Sequence, residues 1–499
     1  MSILRKFAGQ TAIYGFSTIA ARTLSFFLTP VYVRHFSADQ YGVLTELYSW
    51  TSLISAILTF GMETTYFRYL NKEKNNPEVY NDSFLTLLAT SSLFIVLGAL
   101  NIHFVLGFLQ HNVTQVKVDY QAYVQLFLGI ILLDNICVIP FAKLRAEGKS
   151  MRYAFLKCTN ILIYIIFNLL FIFVLPRLAN LNSSFGQFIL PYFKANWIGY
   201  IFISNLIASI FTFILLLPEL SAFRFKFNFT LLKNMLGYSW PVLVANISFT
   251  INENLDKIYL KALLPQTGGQ NLIQLGIYGA CYKLAVFLNL FIQGFRLGAE
   301  PFFFNHASEP DARKTFAVIM DYFIIIVAII FLGIVCNIEW LKYFINNRSY
   351  WSGLKIVPVI LMGYVCLGIY MNLSIWYKLS DQTRYAFYIS GIGALITIIM
   401  NPILIPLMGY MGSAYTTMSA YFVMMVCSYI WGQKHYPIPY NLRKNLILIG
   451  TAVLLVFLSF IVFKRNVYIG NLIFLSFVGL IAWFEKANLK KLFPAKFYL

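Results

Sequence analysis

A chain of 499 residues in which 59% are hydrophobic and only 11% are charged cannot fold around a single core in water, because soluble domains carry about 25% charged residues. The mean hydropathy of +0.71 therefore predicts an integral membrane protein whose solvent is the bilayer. The net charge of +19 is not concentrated in a basic helix or an RNA-binding motif, so it indicates loop residues that set topology rather than nucleic-acid binding.

Apolar runs long enough to cross a hydrocarbon layer recur along the chain. They predict an all-α protein with about 14 transmembrane helices, each about 20 residues long. In chain order the predicted spans are 10–32, 42–65, 82–106, 121–142, 153–175, 197–217, 236–260, 276–304, 316–337, 354–376, 386–406, 413–431, 444–463 and 467–484.

Two short sequence matches relate the first six spans to the next six. The tetrapeptide RYAF occurs at Arg152–Phe155 and at Arg384–Phe387, and each copy precedes an apolar run that ends at a proline. The segment Gln40–Val43 resembles Gln274–Ile277 at nearly the same separation. These matches pair span 1 with span 7 and span 5 with span 11, which is typical of the internal repeats of secondary transporters.

The repeat predicts two six-helix lobes and two additional helices. An even number of spans in each lobe gives both lobes the same orientation, so an axis along the membrane normal relates them. We expect the N-terminal lobe at 1–217, the C-terminal lobe at 218–432, and two further helices with a cytoplasmic tail at 433–499. A central cavity is then predicted where the two lobes meet.

The distribution of lysine and arginine between the two membrane faces predicts the orientation. Roughly twice as many lie on the face that holds the N-terminus as on the other face, to which loop residues such as Lys194 and Lys261 are assigned. Because positively charged loops stay in the cytoplasm, we expect a multi-pass protein of the bacterial inner membrane with both termini on the cytoplasmic side.

Polar residues inside the predicted spans indicate a hydrophilic cavity, because an ionisable side chain at mid-bilayer costs about 2.5–3.5 kcal/mol on insertion scales. Span 1 carries Arg22 within a stripe of hydroxyl-bearing residues. Span 8 carries Asn289 and also Lys283, which has no acidic residue close to it in the sequence. Span 7, the repeat equivalent of span 1, carries a comparable polar set, formed by Asn246, Glu253, Asp256 and Lys257. We predict that these residues bind substrate in the cavity; helix–helix hydrogen bonding is the alternative for the uncharged ones.

Asp134, Arg296 and Glu300 are further ionisable residues within spans. Asp134 is the only acid well inside the spans of the N-terminal half, and we predict that it either serves a coupling ion, H⁺ or Na⁺, or pairs with a basic residue such as Arg22. In span 8, Arg296 and Glu300 lie four residues apart near a membrane interface, so a local ion pair is expected between them.

The sequence carries no motif for catalysis, nucleotide binding or metal binding. It has no His-Glu-x-x-His, Gly-x-Ser-x-Gly or Gly-x-x-x-x-Gly-Lys-[Ser/Thr] motif, and its six cysteines form no Cys-x-x-Cys pair. We therefore predict a transporter without a metal, a cofactor or catalytic residues of its own. A membrane glycosyltransferase or sugar polymerase is disfavoured, because no large loop supplies catalytic acids.

Six segments of the chain resemble the polysaccharide transporters, which are oligosaccharide-lipid flippases of the superfamily that includes the MATE multidrug exporters and the lipid II flippase. The segments are Arg22–Val43, Phe60–Tyr69, Asp256–Leu260, Leu275–Ala285, Phe295–Phe304 and Asn401–Ala414. The resemblance implies two six-helix lobes around a cationic cavity, with Arg22 and Lys283 on the helices, 1 and 8, that carry cavity cations. Where the lipid II flippase has several arginines, this chain has single basic residues.

The same resemblance implies a function. It predicts a flippase that moves an undecaprenyl-pyrophosphate-linked oligosaccharide to the outer leaflet by alternating access, for O-antigen, capsule or exopolysaccharide biosynthesis. The expected partners are the lipid-linked oligosaccharide, membrane lipid and a polysaccharide polymerase. The alternative is a cation-coupled exporter of small amphipathic compounds, as in the multidrug branch.

Overall fold

The computed structural model describes residues 15, 17–73, 76–110, 118–180, 186–187, 190–221, 223–226, 228–265, 269–307, 309–380 and 382–485. In the N-terminal half, residues 17–26 form helix α1. It is followed by α2 (Thr29–His35), α3 (Ala38–Leu58), α4 (Met62–Lys72), α5 (Pro77–Leu100), α6 (Ile102–Gln110), α7 (Tyr120–Ala146), α8 (Ser150–Leu169) and α9 (Gly199–Leu215).

The C-terminal half begins with two long helices. It consists of α10 (Phe229–Leu263), α11 (Gln270–His306), α12 (Ala312–Cys336), α13 (Val357–Leu373), α14 (Arg384–Met408) and α15 (Tyr410–His435). Two more helices follow, α16 (Leu442–Phe457) and α17 (Val467–Phe484). A wider π-helical turn continues α8 over Leu170–Val174, and a 3₁₀ segment, Arg348–Ile356, leads into α13.

The prediction of an all-α membrane protein is confirmed. Ten helical segments in the described part of the chain are long and apolar enough to cross a membrane, and they coincide with predicted spans 2–5, 8–11, 13 and 14. Spans 6, 7 and 12 are also helical, as α9, α10 and α15, whereas residues 10–14 and 16 of span 1 lie outside the described residues. The count of 14 crossings and the lobe boundaries stay predictions.

The matched sequence segments lie at equivalent positions in the two halves. Arg152 is in the first turn of α8, and Arg384 is the first residue of α14. Gln40 is in the first turn of α3, where its side-chain oxygen accepts the backbone N–H of Ser37 at 3.2 Å and completes a capping box. Gln274 is near the start of α11, so α3 and α11 are equivalent helices of the predicted repeat.

The equivalent helices α3 and α11 cross each other at two glycines, Gly42 and Gly276. A β-carbon at Gly42 would overlap the carbonyl oxygen of Leu272, and one at Gly276 would overlap the carbonyl oxygen of Ala38. The two backbones therefore meet without side chains between them at this crossing.

The two halves contact each other near both ends of α3. We call the first the Ala38 end, where α3 begins and α10 meets α11; there Asn347 donates to the carbonyl of Val33 at 3.0 Å. We call the other the Phe60 end, where the hydroxyl of Tyr69 donates to the carbonyl of Asn234 at 2.9 Å. The polar interior between the halves lies between these two ends.

The segment that joins the halves is held by the N-terminal half. Glu219 is 6% exposed and pairs with the guanidinium of Arg152 at 2.8 Å, while its carbonyl accepts the hydroxyl of Tyr80 at 2.9 Å. The backbone N–H of Asn228, which caps α10, donates to Asp82 at 3.2 Å. The joining segment is therefore attached to α8 through Glu219, and the start of α10 is attached to α5 through Asn228.

Candidate substrate cavity

A polar cavity of about 430 Å³ lies where the two halves meet. Helices α1 and α3 of the N-terminal half and α10, α11 and α13 of the C-terminal half supply its walls. Its polar lining residues are Arg22, Ser25, Tyr41, Thr45, Tyr48, Ser49, Glu253, Asn254, Lys257, Tyr282, Lys283, Asn289, Gln293 and Tyr364. Three of these side chains are basic and one is acidic, so the cavity favours an anionic ligand.

Arg22 reaches the cavity from α1. Its guanidinium donates a hydrogen bond to the side-chain oxygen of Gln293 on α11, and the side chain is otherwise exposed to the cavity. Gln293 is neutral, so this contact positions the guanidinium without offsetting its charge. The remaining N–H groups of Arg22 are available for a ligand.

Lys283 lies on α11, in the wall of the same cavity, and is half-buried. Within the part of the chain that the structure describes, its ammonium forms no hydrogen bond and no ion pair, and Lys257 is the neighbouring charge. A lysine at membrane depth without an acid is costly unless water or a ligand solvates it. Of the basic side chains that line the cavity, Lys283 is therefore the one that an anionic ligand would stabilise most.

Lys257, in contrast, has its own partners on α10 and α11. Its ammonium lies 3.1 Å from the carboxylate of Asp256, donates to the carbonyl of Glu253, and sits 4.3 Å from the centre of the Tyr282 ring. Asp256 is 1% exposed and also accepts the hydroxyl of Tyr278 at 2.6 Å. Asp256 thus lies behind the cavity wall, where it offsets the charge of Lys257.

The remaining predicted residues of spans 7 and 8 separate into two groups. Glu253 lines the cavity and accepts the hydroxyl of Tyr421 at 3.0 Å. Asn289 also lines it, and its buried side-chain oxygen has no hydrogen-bond partner among the described residues. Asn246 is exposed elsewhere on α10 and is not part of the lining. The structure therefore brings together Arg22, Glu253, Lys257, Lys283 and Asn289, with Asp256 behind them.

Asp134 belongs to a second polar cavity, of about 350 Å³, inside the N-terminal half. It accepts the hydroxyl of Ser209 at 2.7 Å, and Lys157 and Asn160 line the same space. Arg22 lines the first cavity and bonds Gln293, so the alternative in which Arg22 and Asp134 pair is wrong for this conformation.

One hydrogen bond links the two cavities. Asn205 lines the second cavity and Tyr48 lines the first, and the amide of Asn205 donates to the hydroxyl of Tyr48 at 3.1 Å. Asp134 and Asn205 are thus part of one polar space that reaches the wall of the central cavity.

The expected ion pair between Arg296 and Glu300 is also wrong. Glu300 pairs instead with Lys378, which follows α13. The i,i+4 spacing allowed a local pair, but a lysine from a neighbouring helix approaches the carboxylate in the folded chain.

A buried polar cluster between the halves was not predicted from the sequence. The ammonium of Lys261 lies 2.7 Å from the carboxylate of Glu46, and these side chains are 7% and 2% exposed. The hydroxyl of Tyr120 donates to the other carboxylate oxygen of Glu46 at 2.9 Å. Lys261 was assigned to a loop, although its position one turn after Lys257 on an uninterrupted helix could have placed it inside.

The fold is that of the transporters to which the chain is similar. One is the lipid II flippase MurJ in an inward closed conformation, with 13% identity, a TM-score of 0.71, and coverage of 95% of this chain and 99% of that chain. Another is a multidrug resistance MATE family transporter of the MOP superfamily, inward-facing, with 12% identity, a TM-score of 0.57, and coverage of 90% and 96%. Its outward-facing conformation gives 13% identity, a TM-score of 0.58, and coverage of 86% and 94%. At these identities the likeness defines a fold class, the MurJ- and MATE-like helical membrane proteins.

The family follows from the sequence itself. Residues 7–297, more than half of the chain, match the family of polysaccharide biosynthesis proteins. The chain therefore belongs to that family, and its predicted resemblance to polysaccharide transporters is confirmed. No curated protein matches the chain.

Proposed function

We propose that the protein is a flippase for a lipid-linked oligosaccharide, with an undecaprenyl pyrophosphate as the lipid carrier. The observation that supports it is the cavity between the halves, in which Lys283 has no acidic partner among the described residues and the guanidinium of Arg22 donates to the neutral amide of Gln293. A pyrophosphate carries about two negative charges, and basic groups offset the cost of removing it from water. Family membership supports a role in O-antigen, capsule or exopolysaccharide biosynthesis.

In this proposal the cavity residues have different tasks. Arg22 and Lys283 contact the pyrophosphate, the first with a planar fork of donors and the second as a point charge. Asn289, in the cavity wall, supplies an amide for a sugar hydroxyl. Lys257 and Asp256 hold the wall, and Glu253, which is fixed by Tyr421, accepts from sugar hydroxyls.

The transport cycle is alternating access between the two membrane faces. The halves move relative to each other, and the polar head group crosses in the cavity while the isoprenoid chain stays in lipid. Both termini are on the cytoplasmic side in this proposal, so the substrate moves from the inner to the outer leaflet. A polysaccharide polymerase is the expected partner that consumes the product.

Asp134 is the proposed group for a coupling ion. Its carboxylate lines the second cavity together with that of Glu63, and the Asn205–Tyr48 hydrogen bond connects that space with the substrate cavity. A change in the charge of Asp134 would therefore be felt by groups in the substrate cavity wall.

A second candidate function is cation-coupled export of small amphipathic compounds. The observation that favours it is the cavity volume of about 430 Å³ together with the half-buried carboxylate of Glu253 in its wall. Pockets for drug-sized molecules span about 300–1,000 Å³, and an acid in such a pocket suits a cationic compound.

Gene deletion separates the two functions. A flippase predicts loss of surface polysaccharide with accumulation of lipid-linked units on the cytoplasmic side, and restoration of both by the intact gene. Sensitivity to cationic drugs without loss of polysaccharide would instead support the exporter. A variant with Lys283→Ala, expressed at normal abundance, should fail to restore polysaccharide if the proposal is right.

A further inference from the structure

We propose that the Glu46–Lys261 pair is the closing contact of the Ala38 end, which must separate before the cavity opens to that side of the membrane. The inference rests on the proposed alternating access and adds to it the residues that control one of its two gates.

The position of the pair supports this role. Glu46 is on α3 of the N-terminal half, and Lys261 is on α10 of the C-terminal half. Each lies beside a cavity residue of its own helix: Thr45 precedes Glu46, and Lys257 is one turn before Lys261. Lys261 is the nearer of the two to the Ala38 end of α10. Helices α3 and α10 pack directly against each other, so an opening between them at that end requires the pair to separate.

Burial and bonding show how completely the contact is formed. Both carboxylate oxygens of Glu46 are used, one by Lys261 at 2.7 Å and one by Tyr120 at 2.9 Å. The ammonium of Lys261 also donates to the carbonyl of Leu109, at the end of α6. The cluster therefore joins α10 of the C-terminal half to three helices of the N-terminal half.

An ion pair is suited to a contact that forms and breaks. When it is buried, the loss of hydration of both charges offsets much of their attraction. When the halves separate and water enters, both ions regain their hydration, so the open state is not heavily penalised. An apolar contact of the same size would favour the closed state more strongly, because apolar surface gains no favourable hydration when the open state exposes it to water.

Single and double substitutions of Glu46 and Lys261 should therefore have opposite effects. Lys261→Met or Glu46→Gln leaves one buried charge without its partner, which penalises the closed state and shifts the population toward the open one. The double variant Glu46→Leu/Lys261→Met removes both charges and leaves an apolar contact. It should hold the Ala38 end closed.

The experiment measures access to the cavity directly. Ser25, which is exposed in the cavity, is replaced by cysteine, and an impermeant maleimide is added to one side of sealed vesicles. Cysteine at Tyr192, in the exposed loop before α9, reports in a parallel preparation which side is the Ala38 end. The full-length protein without the Ser25→Cys change gives the background of the native cysteines.

We expect labelling from the Ala38 end to be about tenfold faster in the single variants than in the parent. It should be slower than the parent in the double variant, which should also transport less at normal abundance. The matched control is Asp119→Asn, because Asp119 pairs with Lys194 at 2.8 Å within the N-terminal half; its labelling should equal that of the parent.

Parental labelling and transport in the double variant would overturn the proposal, even where the single variants fail to accumulate. Equal acceleration by Asp119→Asn would also overturn it, because the effect would then be general to charges on that face. Labelling is measured without substrate, so its result tests the gate even if the proposed flippase function is wrong. If labelling responds as expected but the protein moves no lipid-linked sugar, only the proposed function is contradicted.

Discussion

Gly42 and Gly276 lie at the same crossing, and each faces the backbone of the helix that carries the other. The carbonyl that blocks a β-carbon at Gly42 belongs to Leu272, four residues before Gly276, and the one that blocks Gly276 belongs to Ala38, four residues before Gly42. The contact is therefore symmetric, as expected if the pseudo-axis between the two halves passes through it.

Substitution of either glycine should destabilise the protein. Gly276→Ala places a methyl group against a backbone carbonyl that cannot move without separating α3 from α11, and such overpacking costs about 1–3 kcal/mol. The melting temperature in detergent should fall for Gly42→Ala and for Gly276→Ala. Gly298→Ala, on the same helix α11 with open space around it, is the control and should melt at or above the parental temperature. Equal melting of all three variants would show that the crossing tolerates a side chain.

The cavity charge should control transport rather than stability. Lys283→Ala should reduce flipping by at least about tenfold, the effect of losing about 1.4 kcal/mol of binding, while abundance stays near normal. Lys283→Arg should recover part of the activity, since the charge is kept but its geometry changes. Lys355→Ala removes a positive charge from an exposed site that does not line the cavity, and it should transport normally. Comparable losses in both alanine variants would argue for a general charge effect.

The pair formed by Asp256 and Lys257 should be important for folding. Asp256→Ala leaves the ammonium of Lys257 buried without its acid, and breaking such a pair typically costs about 3–5 kcal/mol. Membrane abundance of this variant should fall. Asp256→Ala/Lys257→Met should regain part of the abundance, because no unpaired charge remains, although Tyr278 loses its acceptor. No recovery in the double variant would place the defect at Tyr278 instead of the ion pair.

Replacing Asp134 should affect coupling. Asp134→Asn keeps a hydrogen-bond partner for Ser209 but removes the charge of this residue from the second cavity. Net transport driven by an H⁺ or Na⁺ gradient should be lost, whereas exchange of substrate without a gradient should persist. Asp311→Asn, at a residue whose side chain is 74% exposed, is the control and should respond normally to the gradient. A gradient response retained in Asp134→Asn would exclude the residue as the coupling group.

The orientation can be tested at two exposed loops. Tyr192 is 78% exposed in the loop before α9, and the side chain of Lys149 is 55% exposed between α7 and α8. If both termini are cytoplasmic, an impermeant thiol reagent outside intact spheroplasts should label Tyr192→Cys and spare Lys149→Cys. The reverse pattern would invert the orientation and the direction of transport.

The helices could be predicted from sequence because apolar length is a local property, and the RYAF and Gln40 matches located equivalent helix starts. The cavity was only partly predictable. Asn246 shares a helical face with Glu253 but lies seven residues earlier, which is about 10 Å along the axis, and the cavity does not extend that far. Periodicity specifies a face of a helix, whereas the depth at which neighbouring helices separate depends on tertiary packing.

Contacts between distant segments were beyond the sequence interpretation. Glu46 and Lys261 are separated by 215 positions in the chain, and neither residue has a local pattern that indicates its partner. Glu300 had a suitable partner in sequence, Arg296, and yet pairs with Lys378. The ionic partners of long helices are set by which neighbour approaches, and spacing within one helix does not contain that information.

The start of α10 and its later turns contact different parts of the protein. The start is fixed to α5 through Asn228, and the segment before it is fixed to α8 through Glu219, whereas the later turns line the cavity with α11. Pro241 lies between these parts and cannot donate the backbone hydrogen bond that would resist bending there. In the proposed alternating access the two halves move relative to each other, and a straight helix could not follow both. The bend of α10 at Pro241 should therefore differ between the inward-open and outward-open states.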